Sequence, residues 1–160
     1  MFYVWYNRVR NILRTVSCLK LFHLSDLHLG IRLNEVSLIE DQKYILKQVL
    51  DYVGSEKPDG VIIAGDIYDR SVPSEEAVKL YDSFMTELAR LHIPAFVISG
   101  NHDSAPRLSC CSRLLSDSGI YVSGSYNGNV ESITLKDEFG SVNIYLLPFV
   151  FYVKFIRKLV

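Results

Sequence analysis

The sequence lacks several features that would point to particular classes of protein. No apolar run approaches the roughly 18 to 20 residues needed to cross a bilayer, so we expect no membrane anchor. Charge of either sign is not in excess, with 17 Lys and Arg against 18 Asp and Glu and a net charge of −1. The composition therefore carries no overall electrostatic footprint for nucleic acid, and any DNA binding must come from a local surface.

Cysteine is scarce, and its number is odd, with only Cys18, Cys110 and Cys111. An odd set that includes an adjacent pair is poorly suited to a structural disulfide, which favours a reducing cytoplasm as the location. The adjacent pair could in principle bind metal. However, the sequence shows no CxxC spacing or neighbouring histidine there, so we expect Cys110 and Cys111 to be core cysteines.

Proline and glycine are also few, at 5 and 9 of 160 residues, which excludes collagen-like and low-complexity chains. The apolar share of 49% is enough to form a hydrophobic core, and the length fits one domain. From Lys20 onward, short apolar runs alternate with segments of helical period. That alternation is typical of repeated βαβ units, so the predicted fold class is α/β with a largely parallel sheet.

The pattern predicts individual elements along this α/β chain. The expected strands are Leu21–Leu24, Val61–Ala64, Ala95–Ser99 and Ile120–Val122, followed by an antiparallel hairpin across a turn at 137–140. The expected helices run from about Ser37 to Val53, from Pro73–Ser74 onward, and over Arg107–Leu115. In the second helix the predicted buried stripe is Ala77, Tyr81, Phe84, Leu88 and Leu91.

Polar loops follow three of these strands, and they carry the candidate chemistry. They read SDLHLG (25–30), GDIYD (65–69) and GNHDS (100–104). Because ligands bind at the carboxyl ends of parallel strands, we expect the three loops to converge. DxH alone could be a loop carboxylate with a surface histidine, and GDxxD alone could be a turn with a helix cap. GNHD is rarer, and all three in this order leave little room for coincidence.

Spacing suggests a role for each side chain. Asp26 and His28 lie two apart in what we expect to be an extended segment, so both would face one metal ion. Asp66 follows a glycine and could bridge two ions, and Asn101 offers a neutral oxygen ligand that suits a divalent ion such as Mn²⁺. His102 would then reach substrate.

Asp103, next in the chain, is placed to orient or charge-stabilise the His102 ring. Two divalent ions about 3.5 to 4 Å apart catalyse hydrolysis of phosphate esters, which is the reaction that this donor set suggests. The remaining histidines, His23 and His92, are expected to be structural.

Together the three motifs resemble the calcineurin-like metallophosphoesterase family. Within it, the segments KLFHLSDLHLG (20–30), AGDIYDRSVPS (64–74) and SGNHDSAPRL (99–108) resemble bacterial DNA nuclease subunits, and the resemblance covers about residues 20–149. It implies a β-sandwich flanked by helices around a two-metal centre. It also implies metal ligands at Asp26, His28, Asp66 and Asn101, a catalytic histidine at His102, and supporting residues at Asp69 and Asp103.

The resemblance further implies Mn²⁺ or a similar ion, an ATPase partner subunit, a homodimer, and cleavage of DNA ends and hairpins. The family completes its metal site with three later histidines, one alone and two in a GHxH-like motif, but no histidine follows His102 here. Two alternatives therefore stay open: an inactive truncated fragment, or a different phosphoesterase of the same family. The DRSVPSEEAV flank (69–78) argues against the second.

The ends of the chain depart from the family pattern. The family usually begins at Met-Lys-Leu, whereas this sequence has Leu19-Lys20-Leu21, so we expect codon 19 to be an alternative start and residues 1–18 to be a non-native extension. Polar interruptions such as Asn7 and Arg8 also argue against a signal peptide there. Residues 19–149 form the N-terminal part of the expected domain, and 150–160 are a divergent tail.

Overall fold

The computed structural model describes residues 18–150 and the backbone of residues 3–4. The strands are β1 Tyr3–Val4, β2 Leu21–Leu24, β3 Arg32–Leu33, β4 Val36–Ser37, β5 Gly60–Ala64, β6 Ala95–Ile98, β7 Ile120–Ser123, β8 Glu131–Asp137 and β9 Gly140–Leu146. The helices are α1 Ile39–Glu56, α2 Glu75–Arg90, α3 Ala105–Leu108 and α4 Ser112–Ser116. The alternation of strands and helices confirms the predicted α/β class.

Five strands form the main sheet in the order β1-β2-β5-β6-β7. The last four are parallel to one another, and β1 pairs antiparallel with β2 at the edge. The register places Leu24 beside Ile63, and Ala64 beside Ile98. The carboxyl ends of β2, β5 and β6 therefore meet at one edge of the sheet, and the three polar loops begin there.

Burial explains why these segments are strands and where the core lies. Val61 and Ile63 of β5 are fully buried, and Phe22 and Leu24 alternate with less buried residues in β2. α2 begins after Ser74, whose hydroxyl accepts a hydrogen bond from the Ala77 amide, and Glu75 lies in the first turn where its charge suits the helix dipole. These features fix α2 against the sheet.

Three expectations about the elements need correction. Leu91 is 38% exposed because α2 ends at Arg90 and Leu91 is only its C-terminal cap. The single helix expected over residues 107–115 is two short helices, α3 and α4, because Cys111 between them has a φ of 60° that no α-helix allows. α1 continues to Glu56, three residues beyond the predicted end, and closes with Lys57 in a left-handed conformation.

The hairpin of β8 and β9 has the predicted register, with Ile133 opposite Ile144 and Leu135 opposite Val142. It forms a two-stranded sheet of its own, separate from the main sheet. The chain continues from β9 towards the edge of the main sheet that carries the loops, where the Phe149 amide donates to the Ser99 carbonyl over 2.9 Å.

The two expected terminal segments fall almost wholly outside the described residues. Of residues 1–18, only the β1 backbone and Cys18 are described, and of residues 150–160 only Val150. In the part of the chain that the structure describes, the helices are too short or too polar to span a bilayer.

Candidate metal centre

The first polar loop lies directly along the second. The amides of Asp26, His28 and Leu29 donate to the carbonyls of Gly65, Asp66 and Ile67 at 3.2, 2.9 and 2.8 Å. A short parallel bridge between Leu29 and Tyr68 extends this pairing. The two loops thus continue the contact between β2 and β5 beyond the ends of the strands.

The backbone of these loops differs from the expected extended form. Asp26, His28 and Asp66 have φ values of 55°, 43° and 48°, which lie in the left-handed region. Residues with a Cβ adopt this region at a cost of about 1 to 3 kcal/mol each, and such strain is often found at functional sites. Asp26 and His28 therefore converge because a tight turn brings them together, and the predicted strand-like alternation is wrong.

Two clusters of donor atoms lie at this edge of the sheet. One comprises Asp26, His28 and Asp66, the other His28, Asp69 and His102, and within each cluster the donor atoms lie within 4.8 Å of one another. His28 belongs to both clusters, so the two adjoin. The structure thus brings together five of the residues that the sequence selected, although their roles as ligands stay predictions.

His28 shows that this donor set fits a cation. Its Nδ1 atom is buried and has no hydrogen-bond partner among the described residues. Oδ1 of Asp69 lies 3.9 Å from this nitrogen, which is too far for a hydrogen bond. An orphaned buried polar atom costs about 1 to 3 kcal/mol, and a divalent ion between this nitrogen and the nearby carboxylates would remove that cost.

Two glycines allow the second and third loops to touch. A Cβ on Gly100 would lie 2.1 Å from Oδ1 and 2.2 Å from the backbone nitrogen of Asp66. Gly65 has a φ of 80°, and a Cβ there would lie 3.0 Å from the Gly100 Cα. The glycine that opens each of these two motifs is therefore required by close backbone contact at the site.

Asp103 has a different position from the one expected. Its carboxylate accepts hydrogen bonds from the amides of Ile67, Tyr68 and Gly100 at 3.2, 2.9 and 2.8 Å. It thus ties the second loop to the third and does not orient the His102 ring through a hydrogen bond. Burial, with added repulsion from the Asp103 and Asp82 charges, raises the pKa of Tyr68 to about 12, so this phenol stays neutral.

His102 is exposed and is held by two contacts. Its amide donates to Oδ1 of Asp66 over 3.0 Å, and its ring Nδ1 lies 2.9 Å from the carbonyl oxygen of Asp69. Since a carbonyl can only accept, Nδ1 must carry the hydrogen, which leaves Nε2 as the ring nitrogen for another partner. The ring meets that of His28 edge to face, with centroids 4.9 Å apart.

Asn101 lies between Gly100 and His102 in the bend after β6, and it is exposed. That position is at the same edge of the sheet as the two donor clusters. Its predicted role as an oxygen ligand stays a prediction.

Comparison with known protein families matches residues 19–155 to the calcineurin-like phosphoesterases. The chain belongs to this family. Among curated relatives it is 38% identical over 132 residues to the SbcD subunit of the SbcCD nuclease from Staphylococcus saprophyticus, and 40% identical over 132 residues to its namesake from Staphylococcus epidermidis. Each match covers 82% of this chain and 34% of the relative, so the chain spans about a third of their length.

Family membership confirms the resemblance and the fold predicted from the three motifs. The parallel sheet with helices is consistent with the metallophosphoesterase fold, and the repeated order of strand, loop and helix places all three motifs on one edge. This chain is thus a phosphoesterase by family, and the two donor clusters are its candidate metal centre.

Sequence reasoning missed one residue of the phosphoesterase site, Gln42 in the first turns of α1. Its amide nitrogen donates to the carbonyls of Leu27 and His28 at 3.0 and 2.9 Å, and its amide oxygen accepts from the Gly30 amide at 2.9 Å. The signal that could have found it was a polar residue four before the buried Leu46, on the apolar face of the helix. Gln42 therefore holds the loop that carries Asp26 and His28.

Replacing Gln42 with leucine is expected to weaken Mn²⁺ binding by roughly 10- to 100-fold, because residues that position ligands typically contribute this much. Leucine has a similar size but makes none of the three hydrogen bonds to the loop. The matched control is Gln48→Leu on the exposed face of the same helix. Titration calorimetry with Mn²⁺ measures both variants, and equal affinities would rule out a positioning role for Gln42.

The pKa of His102 is expected to lie above the ordinary value of about 6.5 in metal-free protein. The hydrogen bond to the Asp69 carbonyl is the main cause, slight desolvation opposes it, and the carboxylates of Asp66, Asp69 and Asp103 add to it. A raised folded-state pKa means that this histidine stabilises the fold most fully below pH ~6.5, and that its contribution is lost as pH rises through the folded pKa. An NMR titration of the imidazole that gave a midpoint at or below ~6.5 would contradict this.

Proposed function

We propose that this phosphoesterase is a metal-dependent DNA nuclease subunit of the SbcD type, which hydrolyses phosphodiester bonds at double-stranded DNA ends and hairpins. The observation that carries the proposal is the orphaned Nδ1 of His28, buried where two clusters of acidic and histidine side chains adjoin. The nuclease subunits to which the chain is 38–40% identical support DNA as the substrate.

The proposed metal ligands are Asp26, His28, Asp66 and Asn101, with Asp69 as a supporting residue. Carboxylate, amide and imidazole donors together suit two divalent ions of the Mn²⁺ type. When bound, such ions supply Lewis-acid activation of water and of the phosphate. Asp103 and Gln42 contribute by fixing the three loops, which keeps the donor atoms within a few ångströms of one another.

His102 is the proposed catalytic residue. Its Nδ1 hydrogen is directed to the Asp69 carbonyl, and the raised pKa favours the imidazolium form at neutral pH. A protonated ring can donate from Nε2 to a phosphate oxygen or to the leaving oxygen, and it thereby neutralises charge that develops during displacement. Its exposure leaves it accessible to a polymer such as DNA.

The proposed partners follow from the names of the two staphylococcal relatives. Both are the SbcD component of a nuclease called SbcCD, so we propose an SbcC ATPase as the partner of this chain and a homodimer as the nuclease unit. The cytoplasm is the proposed location, in keeping with the three cysteines, which are all free thiols.

A second proposal concerns the 160-residue polypeptide taken alone. Because no histidine follows His102, this chain supplies only the earlier part of the ligand set that the family resemblance implies. We expect it to bind Mn²⁺ weakly and to cleave DNA poorly, if at all. Each missing ligand or support typically costs tenfold or more in metal affinity.

One experiment tests both proposals. Nuclease activity on linear duplex DNA with Mn²⁺ is measured for the chain alone and for a chimera that joins residues 19–149 to the remainder of the Staphylococcus epidermidis relative. We expect cleavage by the chimera, none by its His102→Ala variant, and little by the chain alone. A chimera that binds Mn²⁺ but hydrolyses only small phosphodiesters would contradict the DNA nuclease proposal. Efficient cleavage by the chain alone would contradict the second.

A further inference from the structure

The adjacent cysteines are surface residues, contrary to the expectation that they lie in the core. Both Cys110 and Cys111 are exposed, in the turn between α3 and α4. The hydrophobic contact of this segment is made instead by Leu108, which is 6% exposed. The two sulfur atoms lie side by side, 3.7 Å apart.

This arrangement is poorly suited to a disulfide between the two residues. Consecutive Cα atoms are about 3.8 Å apart. Disulfides usually join Cα atoms about 4.4 to 6.8 Å apart and need sulfurs about 2.05 Å from each other. Direct oxidation of Cys110 and Cys111 would therefore have to distort the turn.

The sulfur separation instead matches two bonds to a single bridging atom. Two sulfurs bound at about 2.3 Å to one centre, at near-tetrahedral angles, lie roughly 3.8 Å apart. The observed 3.7 Å agrees with that bite. A bridging atom could thus enter between the sulfurs with little movement of either side chain.

The backbone holds the thiols in this position. Cys111 has a φ of 60°, and its carbonyl accepts from the amides of Leu114 and Leu115 at 2.9 and 3.0 Å. The Cys110 amide donates to the Arg107 carbonyl over 3.2 Å. Both cysteines are therefore fixed by the ends of short helices, so little entropy is lost when a ligand bridges them.

We propose that Cys110 and Cys111 form a dithiol binding site for trivalent arsenicals. The number of ligands favours this class, because an arsenical that already carries one organic group needs only two thiols. Zinc would need four ligands, and the clusters of His, Asp and Glu among the described residues all lie at the phosphoesterase centre. The site is distinct from that centre and does not depend on the proposed nuclease function.

The reaction balances without a redox partner. An organoarsenic(III) oxide condenses with the two thiols, two As–S bonds replace the As–O bonds, and the oxygen leaves as water with both thiol protons. Arsenic stays trivalent, and both cysteines stay at the thiol level of oxidation. The hydrogen bond from Cys110 raises the pKa of Cys111, with repulsion and burial adding to it, so the pair enters this reaction as neutral thiols.

The test uses phenylarsine oxide with the full chain, read by intact-mass spectrometry in excess monothiol. We expect one adduct on the wild type that survives the monothiol and is removed by a dithiol competitor. The matched control Cys18→Ser should keep the adduct, while Cys110→Ser and Cys111→Ser should each lose it. Thermal melts of the four proteins should coincide, because all three cysteines are exposed.

Two results would overturn the site. One is a wild-type protein that forms no stable adduct. The other is an adduct that persists in either single variant or requires Cys18. A count of reactive thiols gives an independent reading, since the bridged protein should show one reactive thiol where the untreated protein shows three.

Discussion

The Asp66→Asn variant is expected to lose Mn²⁺ affinity by 100-fold or more while its metal-free form becomes slightly more stable than the wild type. Asparagine keeps an oxygen to accept the His102 amide hydrogen bond, so the turn between the loops is preserved. It removes one negative charge from a cluster that also contains Asp26, whose repulsion without a cation opposes folding. Such opposed effects on binding and stability are typical of functional sites.

Titration calorimetry and thermal unfolding measure the two effects separately. Asp51→Asn, an exposed acid on α1, is the matched control and should change neither quantity appreciably. If Asp66→Asn bound Mn²⁺ as tightly as the wild type, Asp66 would not be a ligand. If it lost stability as well as affinity, its effect would be structural.

Replacing Gly100 with alanine should disrupt the site with a single methyl group. The added Cβ would lie 2.1 Å from Oδ1 and 2.2 Å from the backbone nitrogen of Asp66, so the backbone itself must shift. Overpacking of this kind typically costs about 1 to 3 kcal/mol. Because the shift displaces a proposed ligand, we expect Mn²⁺ binding to fall at least as far as in Asp66→Asn, but with lower stability.

Gly54→Ala is the matched control for this substitution. Gly54 lies within α1, and its added Cβ would make an ordinary 3.7 Å contact with Leu91, so the variant should gain roughly 0.5 to 1 kcal/mol through helix propensity. Chemical denaturation with Mn²⁺ titration distinguishes the two variants. A Gly100→Ala protein with unchanged stability and affinity would show that the loops do not touch as described.

Local sequence patterns predicted the elements and the meeting point of the loops. Short apolar runs specify buried strands such as Val61–Ala64, and a parallel sheet necessarily brings the ends of neighbouring strands together. The glycines that open two motifs also indicated close backbone approach. The α/β class and the candidate site at the sheet edge could therefore be predicted without coordinates.

The details that failed depend on contacts between loops. The left-handed turns at Asp26 and His28 form because their segment docks on the second loop, and no local pattern encodes that docking. Asp103 binds three backbone amides from two loops, a set that is visible only once both loops are in place. Cys110 and Cys111 were assigned to the core from composition, whereas the break between α3 and α4 turns them outward.

The central claim is that three loops, far apart in sequence, build one metal centre around His28. NMR of the histidine imidazoles during addition of substoichiometric Mn²⁺ tests it most directly, because a paramagnetic ion broadens nearby signals. His92 is the internal control, since it lies between α2 and the start of β6, at the opposite edge of the sheet. We predict that His28 and His102 broaden first while His92 stays sharp, and uniform broadening of all of them would contradict a single centre.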